Sequence, residues 1–159
     1  MLRRMLLCLA PLTPLACSQT SVTPANVLTY VPVDRVLQAK AGATVEARLS
    51  FELRSGYHVN SNTPAEDYLI PLKLTWSPGP MAAGEIVYPR PSLERFSFSK
   101  VPLSVFTNNF QIVTRFSAPA KATPGPAMLS ARLRYQACND RMCLPPKNLD
   151  VKLPVEIVK

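Results

Sequence analysis

Between Val45 and Arg54 the chain alternates without a break. Val45, Ala47, Leu49, Phe51 and Leu53 are apolar, and Glu46, Arg48, Ser50, Glu52 and Arg54 between them are polar. A period of two is what a strand with one dry face and one wet face requires, because successive side chains leave the backbone on opposite sides. The pattern returns in Leu129, Ala131, Leu133 and Tyr135, set against Ser130, Arg132, Arg134 and Gln136. It returns again where Leu149, Val151, Leu153, Val155 and Ile157 alternate with Asp150, Lys152 and Glu156. A helix cannot gather such residues on one face, so these stretches commit the chain to sheets buried on one side.

Shorter candidate strands fall between them, at residues 27–31, 57–60, 69–76, 85–88, 103–106 and 110–116. Turn signals separate them: Ser55-Gly56, Asn62-Thr63-Pro64, Pro78-Gly79-Pro80, Asn108-Asn109 and Pro124-Gly125-Pro126. No stretch carries a helical period with caps. Short strands at such spacing predict an all-β, antiparallel sandwich. The 17 prolines do not argue for disorder, because 47% of the residues are hydrophobic, and they read as loop punctuation. A length of 159 residues suits one domain with a real core.

The first residues belong to a targeting signal and not to the sandwich. Met1-Leu2-Arg3-Arg4 is a basic n-region, and Met5 to Ala16 is apolar but too short to span a bilayer comfortably. Ala16-Cys17-Ser18 offers small residues at the positions a signal peptidase reads, so residues 1–18 are expected to be a signal peptide and residues 19–159 the mature domain. A lipoprotein signal competes, with Cys17 as the lipidated residue. Pro14 stands where such a signal usually has Leu, which ranks lipidation second. Either way a periplasmic or secreted protein is expected, with a loose leader from residue 19 to about 26 and no later transmembrane segment. Without Arg3 and Arg4 the net charge falls from +8 to +6, and the remaining charges are scattered. A nucleic-acid or DNA partner would call for a basic patch interleaved with aromatics, which is missing.

Of the four cysteines, Cys8 and Cys17 lie in the signal, leaving Cys138 and Cys143. They sit at the connection between the last two alternating stretches. Strict parity puts Cys138 on the outer face with Arg134 and Gln136. Pro145 and Pro146 cannot donate ladder hydrogen bonds, so Cys143 is expected on a stiff, poorly paired segment. Three readings follow. A structural staple closing about six residues contributes roughly 2 kcal/mol, against about 3 for a fifteen-residue loop. A redox-active bond is favoured by exposure at a rim. A Cu(I) site of two thiolates, Met142 and the lone His58 ranks below both, because the spacing is weak and a single strand His is usually a half-exposed polar residue. Residue types alone leave the staple and the redox bond evenly matched. No nucleophile-elbow motif or carboxylate pair supports hydrolysis.

The stretches "RYQACNDRMCLPP" and "SGYHVNSNTPAEDYLIPLKLTW" resemble the periplasmic N-terminal domain of the thiol:disulfide interchange protein DsbD. The likeness runs over about residues 30–158, and its most specific part is Tyr135, Gln136, Cys138, Cys143, Pro145 and Pro146, with Gly56 to Ser61 in support. The resemblance implies an immunoglobulin-like fold and a domain that carries electrons to thioredoxin-like periplasmic proteins, including those of cytochrome c maturation. By it, Cys143 attacks a partner's disulfide and Cys138 resolves the mixed disulfide, with no metal or organic cofactor. It also implies a cap loop over the cysteines, placed at Glu94 to Lys100 ahead of a strand pair, with Phe98 as the covering residue and Phe96 as the alternative. Arg95, Lys100 and Arg141 would lower a nearby thiol pKa, and Glu94 and Asp140 would raise it. Two departures stand out. Four residues separate the cysteines where the best-known members have five, and the chain ends at Lys159, so a separate transmembrane electron donor is expected. The alternative function is a non-catalytic binding module whose disulfide is structural.

Overall fold

The computed structural model describes residues 26–159, and the expected signal peptide, Cys8, Cys17 and nearly all of the expected leader lie outside the described residues. In chain order the described residues form β1 (Leu28–Val31), β2 (Leu37–Lys40), β3 (Thr44–Leu53), β4 (His58–Asn60), β5 (Lys73–Trp76), β6 (Ala82–Val87), β7 (Ser92–Glu94), β8 (Leu103–Phe106), β9 (Phe110–Ser117), β10 (Gly125–Tyr135), β11 (Ala137–Cys138) and β12 (Lys147–Val158). There is no helix among them, and the architecture is an immunoglobulin-like β-sandwich.

Two sheets carry the sandwich. One has the order β1-β3-β9-β6 and the other β2-β12-β10-β5. Their long members, β3, β10 and β12, are the alternating stretches, and the alternation is realised as burial. Leu49, Phe51, Ile112 and Phe116 from the first sheet meet Leu129, Leu133, Val151, Leu153 and Val155 from the second in one core. The interdigitation includes an edge-to-face contact of Trp76 on Phe116 at 4.7 Å. The charged parity stays in water, where Arg115 bonds Glu46 and Glu85. Pairing is antiparallel except at one edge, where β2 runs parallel to β12 from Leu37↔Val155 to Lys40↔Val158. The short strands β2, β7 and β11 have no counterpart in the sequence reading, and the candidate at 69–76 is strand only from Lys73 onward.

A third sheet, β11-β4-β8-β7, lies beside the sandwich. Its strands are two to four residues long, and β4, β8 and β11 are buried at every position, so no alternation marks them. It covers a small apolar cluster of Leu69, Leu103 and Val105, against which Phe96 packs. The chain enters it through a tight turn at Ser55-Gly56, where Gly56 takes φ +79° and the Tyr57 amide donates to the Arg54 carbonyl at 3.2 Å. A left-handed backbone of that kind suits glycine, which lacks the Cβ that clashes there. Two residues after Gly56 the chain enters β4 at His58.

Candidate functional site

The cysteine loop begins where β10 ends. Tyr135 is the last residue paired in the sandwich, opposite Lys147, and two residues later Ala137 pairs with Val59 of the third sheet. Gln136 is therefore the point at which the chain changes sheets. Its side chain ties the junction together: Oε1 accepts from Asn60 Nδ2 and from the Ile70 amide, each at 3.4 Å, and Nε2 donates to the Leu144 carbonyl at 3.2 Å.

This change of sheet corrects the expectation for Cys138. Parity counted from β10 puts it on the outer face, but the count restarts at Gln136. In β11 the cysteine is fully buried, with 0% exposure. Cys143 lies on a poorly paired segment as expected, unpaired apart from an isolated bridge to Cys138, and it is exposed along with the Pro145 and Pro146 that follow.

Cys138 and Cys143 face each other across a miniature hairpin and are joined by a disulfide, with Cα atoms 3.9 Å apart. The hairpin is closed on one side of the bond by Asn139 N–H to Met142 C=O at 2.9 Å and on the other by Leu144 N–H to Ala137 C=O at 2.8 Å. The cysteines thus occupy a non-hydrogen-bonded antiparallel position, where side chains approach most closely. Asn139 sets the turn, its Oδ1 accepting from the amides of Arg141 and Met142, both at 2.9 Å. Asn does this well because its short side chain mimics a backbone turn. The spacing of four is the length this turn requires.

His58 lies directly opposite Cys138, its antiparallel register partner, so the two side chains share one face. It corrects a second expectation, for it is 3% exposed and not half-exposed. Phe96 stacks on its ring with centroids 4.0 Å apart, and Phe98 stacks on Phe96 at 5.4 Å. The segment carrying both phenylalanines joins β7 to β8, which pair antiparallel, and it is followed in the chain by β8 and β9. Phe96 is partly buried and Phe98 is 41% exposed, so Phe96 makes the inner layer and Phe98 the outer. Ser97 Oγ donates to the Asp140 carbonyl at 3.3 Å, which links the aromatic loop to the cysteine loop.

Burial pushes the His58 pKa below its ordinary 6.5, with the Asp140 and Glu94 carboxylates acting in the opposite, weaker direction. Both acids named in the sequence are therefore close enough to influence this ring. Among the described residues, the buried side-chain polar atoms lacking a hydrogen-bond partner are His58 Nε2 and Asn60 Oδ1, both on β4. Met142 is 59% exposed and both cysteine sulfurs are in the disulfide. His58, weighed in the sequence only as a weak metal ligand, stands beside the cysteine pair together with Gln136 and Asn139, whose places the sequence did not assign, although Gln136 stands inside the most specific motif.

The class of protein is thus defined by an immunoglobulin-like sandwich that carries, on a side sheet, a disulfide with one exposed and one buried cysteine. A family profile described as "Thiol:disulfide interchange protein DsbD, N-terminal" matches residues 28–154, and the chain belongs to that family of thiol–disulfide exchange domains, which are periplasmic. No curated protein matches its sequence. Among solved structures, the N-terminal domain of Neisseria meningitidis DsbD in the reduced form is 18% identical, covering 73% of this chain and 82% of its own, with a TM-score of 0.48. A PapD-like domain of human CEP192 is 13% identical and covers 94% of this chain and 99% of its own, with a TM-score of 0.39. The family assignment rests on the sequence match and not on these overlays.

Proposed function

We propose that this domain passes reducing equivalents to thioredoxin-like periplasmic proteins through Cys138 and Cys143, and is itself recharged by a membrane-embedded donor. In the reduced form the Cys143 thiolate attacks a partner's disulfide and forms a mixed disulfide, releasing the partner's second sulfur as a thiolate that takes a proton from water. Cys138 then attacks Cys143, the intermolecular bond breaks, and the pair is left oxidised while the partner leaves as a dithiol. The observation that carries this order is the asymmetry of the pair: Cys143 is exposed and Cys138 is fully buried. Only an exposed sulfur can be reached by another protein's disulfide. The loop of Phe96 and Phe98 acts as the cap, displaced when a partner docks.

The competing reading, a binding module with a structural bridge, draws on the complete burial of Cys138. Trapping separates the two. Cys138→Ala removes the resolving sulfur and leaves Cys143 free, so the variant is expected to accumulate a mixed disulfide through Cys143 with a periplasmic thioredoxin-like protein, seen as a shifted band on non-reducing gels. Absence of any such adduct, with Cys143 still alkylatable, would leave the structural bridge as the better reading.

A further inference from the structure

Resolution of the mixed disulfide raises a problem of proton transfer. Cys138 must act as a thiolate, yet it has 0% exposure, and a buried thiol resists ionisation because the charged form loses its hydration. Water cannot easily take the proton. A base within the buried layer would solve this, and the candidates are few. The titratable groups brought to this face are Glu94 from β7, Asp140 from the cysteine loop and His58 from β4, together with the two thiols; Arg95, Lys100 and Arg141 lie on the two flanking loops and are exposed.

His58 alone combines the needed properties. It is the cross-strand partner of Cys138, which places the Cβ atoms roughly 4.5–5.5 Å apart on the same face. Its Nε2 is buried and has no hydrogen-bond partner, an arrangement that native proteins rarely leave without a reason. Phe96 covers the ring on one side and shuts out solvent.

We infer that His58 is the general base of the resolving step. Its unprotonated nitrogen accepts the proton of Cys138 Sγ–H as that sulfur attacks Cys143 Sγ in the mixed disulfide. The Cys138–Cys143 bond forms, the bond from Cys143 to the partner sulfur breaks, and the electron pair leaves on the partner as a thiolate. The imidazolium returns its proton to water when the aromatic loop next opens. No further oxidant or reductant is required. Burial supports the role, since it keeps the imidazole neutral at periplasmic pH and ready to accept a proton.

This inference rests on the exchange reading but can be tested without a biological partner. The reduced domain is mixed in a stopped-flow instrument with a large excess of dithiobis-nitrobenzoate, an aromatic disulfide whose released thiolate is coloured. The first coloured equivalent reports attack by Cys143 and the second reports resolution by Cys138. In the native protein the second step should rise with pH and level off above an inflection lying below pH 6.5. His58→Phe keeps the aromatic stack under Phe96 but cannot accept a proton. It should slow the second step at least about tenfold, toward the ~10²–10⁴ typical of a positioned base, and remove the inflection, while changing the first step little. His58→Gln should behave likewise. An unchanged second step in either folded variant, or a native profile with no inflection below pH 6.5, would overturn the inference. A native protein that releases one equivalent and never the second would instead refute the exchange reading itself.

Discussion

The two halves of this molecule are built on opposite terms. The sandwich has long strands, strict alternation and one large apolar core to which Leu49, Phe51, Phe116, Leu133 and Val151 contribute. The third sheet has strands of two to four residues, a cluster of Leu69, Leu103 and Val105, and buried polar groups at His58, Asn60, Ser61 and Ser104. Ser61 and Ser104 bond one another through their hydroxyls at 2.8 Å, but His58 Nε2 and Asn60 Oδ1 are left without partners. Val59, Phe106 and Ala137 anchor this sheet in the main core, whereas the loops that carry Cys143 and Phe98 are exposed. The difference teaches that most of the apolar core and the cysteine pair with its orphaned polar atoms are separated in space, which fits the proposal that the loops yield to a partner while the sandwich holds the fold.

That separation makes a graded set of expectations. The largest effect belongs to the sandwich. Phe116→Ala removes a ring that is 1% exposed and pinned against Trp76, and should lower unfolding stability by about 3–5 kcal/mol in urea titrations. A loss below about 1 kcal/mol would deny the sandwich its role as the rigid half. The double variant Cys138→Ala/Cys143→Ala should lose less, about 2 kcal/mol, because the bond closes so short a loop, and should still unfold in one cooperative step. A loss as large as that of Phe116→Ala would make the bridge a staple for the whole fold. The smallest effect on stability is expected at the aromatic loop. Phe98→Ala should shift it by no more than about 0.5 kcal/mol, since that ring is the exposed outer layer of the stack. The same change should speed alkylation of the reduced cysteines severalfold, and an unchanged rate would remove Phe98 from the site.

The same contrast explains what could be read from the sequence. β3, β10 and β12 announce themselves because each is long and wet on one side, so their period survives from residue to residue. β11 cannot: two residues, both buried, carry no period, and the parity of β10 misleads when carried past Gln136. The parallel edge strand β2 is only Leu-Gln-Ala-Lys and borrows its order from β12. The cysteine pair was legible from its residue types, and the poorly paired segment of Cys143 from the prolines that follow. His58 was not, because its burial depends on Phe96 arriving from a distant hairpin, and nothing near position 58 encodes that contact.

The account turns on whether the disulfide exchanges freely while the sandwich stays folded, and its reduction equilibrium reads this directly. The oxidised domain is equilibrated with a reduced thioredoxin poised near −270 mV, with the thiol state read by mass-tagging and the fold by circular dichroism. The account predicts substantial reduction at that poise with the sheet signal intact. A bond that stays oxidised, with a potential below about −300 mV, or a reduced form that unfolds, would contradict it.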